Sequence, residues 1–502
     1  MENTERLSRL FARLDEIEAY TRVMGKVSFD MECCAPPEGL EKAGEDIAAL
    51  GRQLFALTHA PEYITLLSEL HSDSSGLTPV QKKTVEHLYE EYAKTKNISP
   101  ELNYEIDLAA GRSYGDWLRA KQQSDFSLFR DSLEALIRYQ KLTIDLRDRH
   151  PDGYCNTCLD DNEKGCRENQ LDGFFNALRE RIVPLLQRVQ TEGKTVRTDF
   201  LTRKVPVAKQ EEFARFLLET EGLRNSALVL MTTEHPFTTN FGPNDVRVTT
   251  HYYEENFVSS VFSTLHEGGH ALFMQNEPEE FYANHCAGFA TNGMHETVSR
   301  FFENIVGRSE GFLRFLLPRL RALTGNVFSD VTDREFFEAV NAVRPGLIRI
   351  EADELTYCLH ILVRYEVEKA FMNGTITVDE IPSCWNRIFR EVMGLDVPDD
   401  ARGCLQDVHW SGFGFGYFPS YALGNAYGGQ ILHRMKQDLD FDACMLKGDL
   451  KSVGGWMKQH VFSVASVSTP DEWIRTITGE SLNPIYYLDY LEEKIKNVYG
   501  LT

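Results

Sequence analysis

Apolar positions recur three and four apart along most of this chain, the period of helices that bury one face. Leu7, Leu10, Phe11, Leu14, Ile17 and Met24 predict a helix over 4–24, with Asn3 or Thr4 as its cap. Pro36-Pro37 interrupts the pattern, and a second helix is predicted over about 39–58. Thr78-Pro79 and Ser99-Pro100 each set a capping hydroxyl before a proline at the first helical position. They predict helices running to about Lys96 and over 102–122, followed by one over 126–147. Residues 150–170 are turn-rich and hold Cys155, Cys158 and Cys166; lacking a fourth ligand, they read as a loop with three unrelated cysteines. Helical spacing returns over 171–190 and 208–221. From Thr232 to Tyr253 β-branched and aromatic residues alternate around a Gly242-Pro243 turn, predicting short strands. Later helices are predicted over 310–324, 333–343 and 346–373. Residues 403–429, glycine- and aromatic-rich, are too irregular for regular structure throughout. With no low-complexity linker, the pattern favours one mostly α domain over a string of modules.

One predicted helix carries chemistry. In Phe257 to Gln275, Val258, Val261, Phe262, Leu265, Leu272 and Phe273 mark the buried face, and the same helix contains His266-Glu267-Gly268-Gly269-His270. Histidines four apart project from neighbouring turns of one face, so both imidazoles can reach one Zn²⁺. Glu267 stands about 100° round from His266, beside such an ion rather than on it. Two glycines inside a helix cost on the order of 1 kcal/mol each, and a neighbouring segment is expected to pack closely against them.

Composition narrows the setting. The chain has 502 residues and a net charge of −23, which argues against nucleic acid and against anionic membrane surfaces. The N-terminal stretch lacks the apolar run of a signal peptide, and no stretch of 18 apolar residues occurs. Ten cysteines, including the adjacent Cys33-Cys34, suit reduced thiols in a cytoplasmic protein.

A catalytic zinc needs three protein ligands and an open position. Glu296 is the candidate third ligand, in a predicted helix from about Gly293 to Gly307 that buries Met294, Val298, Phe301, Phe302 and Ile305. Glu296, Ser299 and Glu303 form a separate polar stripe there. Glu277, Glu279 and Glu280 are rivals in a loop nearer the first helix, and His295 reads as a packing residue. With a His₂Glu set, Glu267 serves as general base for a metal-activated water. The same donors can also bind cobalt or manganese. The short strands just before the HEGGH helix would form a small sheet whose backbone rim can accept an extended peptide.

Further motifs extend the pattern: His235-Pro236-Phe237, Asp245 to Thr249 (DVRVT), His295 to Ser299 (HETVS), Ile348 to Asp353 (IRIEAD) and Gly403 to Trp410 (GCLQDVHW). In this order around HEGGH, the chain resembles the carboxypeptidase Taq metallocarboxypeptidases over nearly its whole length. Thr297 and Phe29 depart from the family pattern, which has serine and tryptophan there; neither touches a predicted ligand. The resemblance implies His266, His270 and Glu296 as metal ligands and Glu267 as base. It further implies a helical fold shared with the neurolysin, thimet oligopeptidase and angiotensin-converting-enzyme groups. That fold has a small sheet beside a deep groove with a closed end, and the N-terminal helices (about 1–150) as a lid. A cytoplasmic homodimer acting on peptides with a free C-terminus is implied as well. Arg349 and Arg247 are candidates for the substrate carboxylate, since a guanidinium fork binds it bidentately, although either can instead serve an ion pair with Asp353 or Asp245. His409 and Tyr421, with Tyr417 as the alternative, are candidates for oxyanion donors, and Asp353 for orienting a ligand histidine. The competing readings are an endo- or oligopeptidase with the same ligands, and a helical scaffold that binds zinc without hydrolysis.

Overall fold

Helices begin where capping hydroxyls occur. Thr78 accepts from Gln81 N in a capping box at the head of Pro79–Thr95, and Ser99 accepts from Leu102 N at the head of Pro100–Gln123. A computed structural model describes residues 2–502, mostly helical with one three-stranded sheet. The first helix, Asn3–Cys33, runs past its predicted end because Phe29 is a buried anchor near its C-terminus. Pro61–Ser72, which the sequence reading missed, buries Tyr63, Leu66, Leu67 and Leu70 over only three turns.

Two expectations are corrected further along. Residues 150–170 are not a loop throughout: Tyr154–Asn162 is a helix whose Cys155, Cys158 and Leu159 enter the main core. The helix predicted from 346 starts only at Glu354, where the Asp353 side chain caps it by accepting from Thr356 N. The irregular stretch before it holds a short 3₁₀ turn, Arg349–Glu351. Residues 403–417 are irregular, with a 3₁₀ turn at His409–Gly412, before the helix Phe418–Asp438.

The sheet comprises β1 (Leu228–Thr232), β2 (Thr238–Asn240) and β3 (Val246–Thr250) in the order β1-β3-β2. β3 pairs parallel with β1 and antiparallel with β2, with Thr239 opposite Arg247. Gly242 turns between β2 and β3 at φ +119°, a conformation that favours glycine. Val246 and Val248 bury the inner face of β3, and the HEGGH helix, Phe257–Asn276, packs on that strand.

Apolar burial falls into two clusters. The larger one joins most buried apolar residues from Trp117 onward. The smaller, including Leu7, Leu10, Leu14, Leu66 and Leu67, joins the helices Asn3–Cys33, Pro61–Ser72 and Pro79–Thr95. These meet the body at the loop after the HEGGH helix, where Thr84 Oγ1 donates to Asn284 O (2.8 Å) and His285 Nδ1 lies 2.6 Å from Glu18 Oε1.

Candidate metal centre and active site

The two glycines of HEGGH are contact points. A Cβ on Gly269 would stand 2.8 Å from Ser299 Cα and 2.9 Å from Val298 O, and one on Gly268 would overlap the buried Glu221 carboxyl. Backbone thus meets backbone between the HEGGH helix and the helix Asn292–Arg300, which continues as a π-helical turn over Phe301–Val306. On the far side, Gly424 lets the helix Phe418–Asp438 approach Glu296, where a Cβ would lie 2.7 Å from the Glu296 Cβ. Close approach on both sides brings His266, His270 and Glu296 together, each offering one ligand atom, all within 4.8 Å of one another. His266 Nε2 is 3.8 Å from Glu296 Oε2. Tetrahedral ligands at about 2.0–2.2 Å from one ion stand roughly 3.4 Å apart, so this donor set fits a divalent metal with small side-chain adjustments.

Around the donors lies a second layer. Glu303 Oε2 is 2.9 Å from His266 Nδ1, which fixes that nitrogen as the donor and leaves Nε2 facing Glu296. Arg300 (3.0 Å) and Arg308 (3.5 Å) hold the same carboxylate, and Arg300, stacked on Tyr357, also lies 3.6 Å from Glu296. Despite burial, these cations keep Glu303 well below the ordinary carboxylate range. The orienting role expected of Asp353 is overturned: its carboxylate accepts from the backbone of Thr356 and Arg344, tied up in capping. Glu303 was visible in the sequence as part of the polar stripe with Glu296, seven residues and nearly two turns away.

Glu267 is buried beside the cluster, and its Oε2 accepts from Thr238 Oγ1 at 2.7 Å. Thr238, on β2, escaped the sequence reading; its signal was its place directly after His235-Pro236-Phe237. Burial raises the Glu267 carboxyl, with His266 opposing the shift. The His295 ring packs 4.4 Å from Phe273, and burial lowers its pKa to about 4.

The other expected residues divide. His409 Nε2 lies 3.4 Å from Tyr421 OH, and the Tyr417 ring is 5.3 Å from both rings. Burial takes His409 down to about 4, so its imidazole is neutral at pH 7; burial, with Glu296 among the charges that add to it, raises both phenols. Arg349 stacks 5.0 Å over Tyr421 and is fixed by Asp407 (2.9 Å) and Tyr357 OH (3.2 Å). Its ionic partner is Asp407, not Asp353. Arg247 commits its fork to Asp245 at 3.0 and 3.2 Å and lies over Phe29 and Phe241, a structural ion pair. Phe29 also meets Phe237 edge-on at 5.9 Å, so this departure from the family pattern reaches the strand segment beside Glu267.

A helical peptidase-type scaffold holding a His/His/Glu cluster with an adjacent glutamate defines a metallopeptidase. Residues 9–495 match the carboxypeptidase Taq (M32) metallopeptidase family, and the chain belongs to that family. It is 36% identical to carboxypeptidase 1 of Bacillus subtilis, over 98% of each chain. To thermostable carboxypeptidase 1 of Thermus thermophilus it is 33% identical, over 96% of this chain and 97% of the relative. Among solved structures, the M32 carboxypeptidase from Deinococcus radiodurans R1 superposes with a TM-score of 0.95 at 29% identity, covering 99% of this chain and 100% of the other. Among the described residues, no helix is long and apolar enough to cross a membrane.

Proposed function

We propose that the protein is a zinc-dependent carboxypeptidase that releases single C-terminal residues from peptides. The observation that carries this reading is the convergence of His266, His270 and Glu296 beside the buried Glu267 in a chain of this family. When bound, zinc lowers the pKa of a coordinated water toward about 7 and polarises a carbonyl. Cobalt or manganese suits the same donors.

The chain's residues then divide the work. His266, oriented by Glu303, and His270 and Glu296 hold the ion. Thr238 occupies one oxygen of Glu267 and leaves the other to take a proton from the attacking water and pass it to the departing amine. Neutral His409 and the Tyr421 hydroxyl donate to the oxyanion, with Tyr417 adjoining them. Arg349, placed over Tyr421, binds the substrate's terminal carboxylate, with its fork turned from Asp407; Arg247, equally paired with Asp245, lies over Phe29 and Phe241 instead and is the weaker choice. The N-terminal helices (about 1–150), three of which share a core of their own, act as a cover over the site. The family likeness adds a cytoplasmic homodimer, which sedimentation equilibrium tests.

A time course of peptide digestion followed by mass spectrometry, with and without chelator, checks the reading. A ladder shortening from the C-terminus, abolished by chelator and by C-terminal amidation, is expected. Internal cuts, or undiminished cleavage of the amidated peptide, would instead establish an endopeptidase. Arg349→Ala should raise KM for the free-acid peptide by about a hundredfold, with little change in kcat.

A further inference from the structure

A cavity of about 430 Å³ lies behind the helix Phe418–Asp438. Two of its lining residues, Leu423 and Tyr427, stand about 120–160° round that helix from Tyr421, so the cavity is separate from the metal cluster. Leu171 and Phe174 form a second wall, and Leu482 comes from the C-terminal segment. Glu163 lies at the floor, 1% exposed, and Tyr427, 5% exposed, has no hydrogen-bond partner for its hydroxyl among the described residues. The hydroxyl is thus free to meet a ligand in the cavity.

The charge pattern selects the occupant. Of the charged residues that line it, Asp471 is paired with Arg475 (2.7 Å) and Lys164 with Glu90 (3.3 Å) and Asp160 (3.4 Å), which leaves the Glu163 carboxyl without a cationic partner. Glu163 Oε2 accepts from Thr291 Oγ1 (2.6 Å) and Oε1 from Gly293 N (2.5 Å), with the Ser420 hydroxyl nearby, and the carboxyl retains an acceptor position. Apolar walls closing on one carboxylate and one hydroxyl suit a compact apolar body with one cationic donor. We propose that this cavity is a ligand site for a small apolar primary amine, its ammonium on Glu163 and Tyr427 and its body against Leu171, Phe174 and Leu423.

Such a ligand would be sensed at the metal cluster. Thr291 and Gly293 are the cap and first turn of the helix that carries Glu296 one turn later. The contact is tight, since a Cβ on Gly293 would stand 2.8 Å from Glu163. The residue before Glu163, Asn162, donates to Phe415 O (3.0 Å), on the segment leading to Tyr417. The turn-rich cysteine stretch thus links the cavity to both halves of the active site.

Benzylamine is the probe, titrated calorimetrically into the full-length zinc-loaded protein, with benzyl alcohol and toluene as neutral controls. Saturable binding of benzylamine is expected, at least about tenfold tighter than either control, as one charge-assisted hydrogen bond provides. Gly173→Leu should weaken it at least about tenfold: Gly173 lines the cavity and its Cβ meets open space, so the added side chain fills the void. Leu482→Trp, filling it from another wall, carries the same expectation should Gly173→Leu fail to fold. Tyr427→Phe should weaken binding several-fold. In the parent protein benzylamine should change kcat with KM unmoved, and in Gly173→Leu it should not. Equal binding to both filling variants, equally tight binding of benzyl alcohol, or no saturable binding, meaning a cavity that holds only water, would each overturn the proposal. Binding is read without turnover, so the outcome does not depend on the peptide substrate.

Discussion

Replacing Glu303 by glutamine tests whether the layer behind the ligands governs the metal. The substitution keeps shape and removes one buried negative charge held by His266, Arg300 and Arg308. Two consequences act in the same direction. His266 faces an amide that can accept from Nδ1 or donate to it, so its tautomer is no longer fixed by a charged acceptor, and Arg300, already 3.6 Å from Glu296, is released toward that carboxylate and competes with the ion. Loss of such an orienting partner costs about 10–100-fold in metal affinity or activity, or about 1.4–2.7 kcal/mol. Two buried arginines also lose a charge partner, which destabilises by about 3–5 kcal/mol. At about 2.1 cal/mol/K per residue, the unfolding entropy of a chain this long is about 1 kcal/mol/K, so the melting temperature should fall by about 3–5 °C. Competition with a chromophoric chelator measures affinity, and activity across a zinc titration separates lost affinity from lost turnover. Zinc affinity within about twofold of the parent protein, at unchanged activity, would refute the reasoning.

Glu267→Gln should retain metal by elemental analysis while kcat drops by about 10²–10⁴-fold; unchanged turnover would remove Glu267 from the mechanism. Gly269→Ala forces a methyl against Ser299 and Val298 backbone and should cost about 1–3 kcal/mol, with weaker zinc binding. Gly455→Ala, whose Cβ meets open space, should be neutral or stabilising by up to about 1 kcal/mol in the same thermal melts. Burial raises the Glu368 carboxyl from an ordinary 4.5 to about 7, while Trp410 Nε1 and Gly416 N donate to it. Folding therefore takes up a proton between those values, and the stability Glu368 contributes is lost as pH rises from about 4.5 through 7. Glu368→Gln should flatten the change in unfolding free energy between pH 5 and pH 8 by on the order of 3 kcal/mol, measured by urea denaturation.

Local rules sufficed for what depends on neighbours in the chain. Helical period and hydroxyl-proline caps located the helices at Pro79 and Pro100 and the HEGGH helix almost to the residue, because backbone satisfaction and one-sided burial are written within a few turns. The four-residue spacing of His266 and His270 is likewise a property of one helix. The stripe of Glu296, Ser299 and Glu303 was visible, but not which carboxylate meets His266, since that depends on how two helices cross. Gly269 and Gly424 let the helices on either side of the Glu296 helix come close, and only their approach brings Glu296 to the histidines and Glu303 to His266 Nδ1. Asp353 shows the converse: its motif suggested a role near the metal, yet the short-range demand of a helix N-terminus claims the side chain. Arg349 and Arg247 look alike in sequence, and each closes on an acid, Asp407 or Asp245; tertiary packing separates them by setting Arg349 over Tyr421 and Arg247 over Phe29 and Phe241. Sequence alone determined the helices and the chemical types of the metal donors; the fold decided which side chains converge, because convergence depends on contacts between segments far apart in the chain.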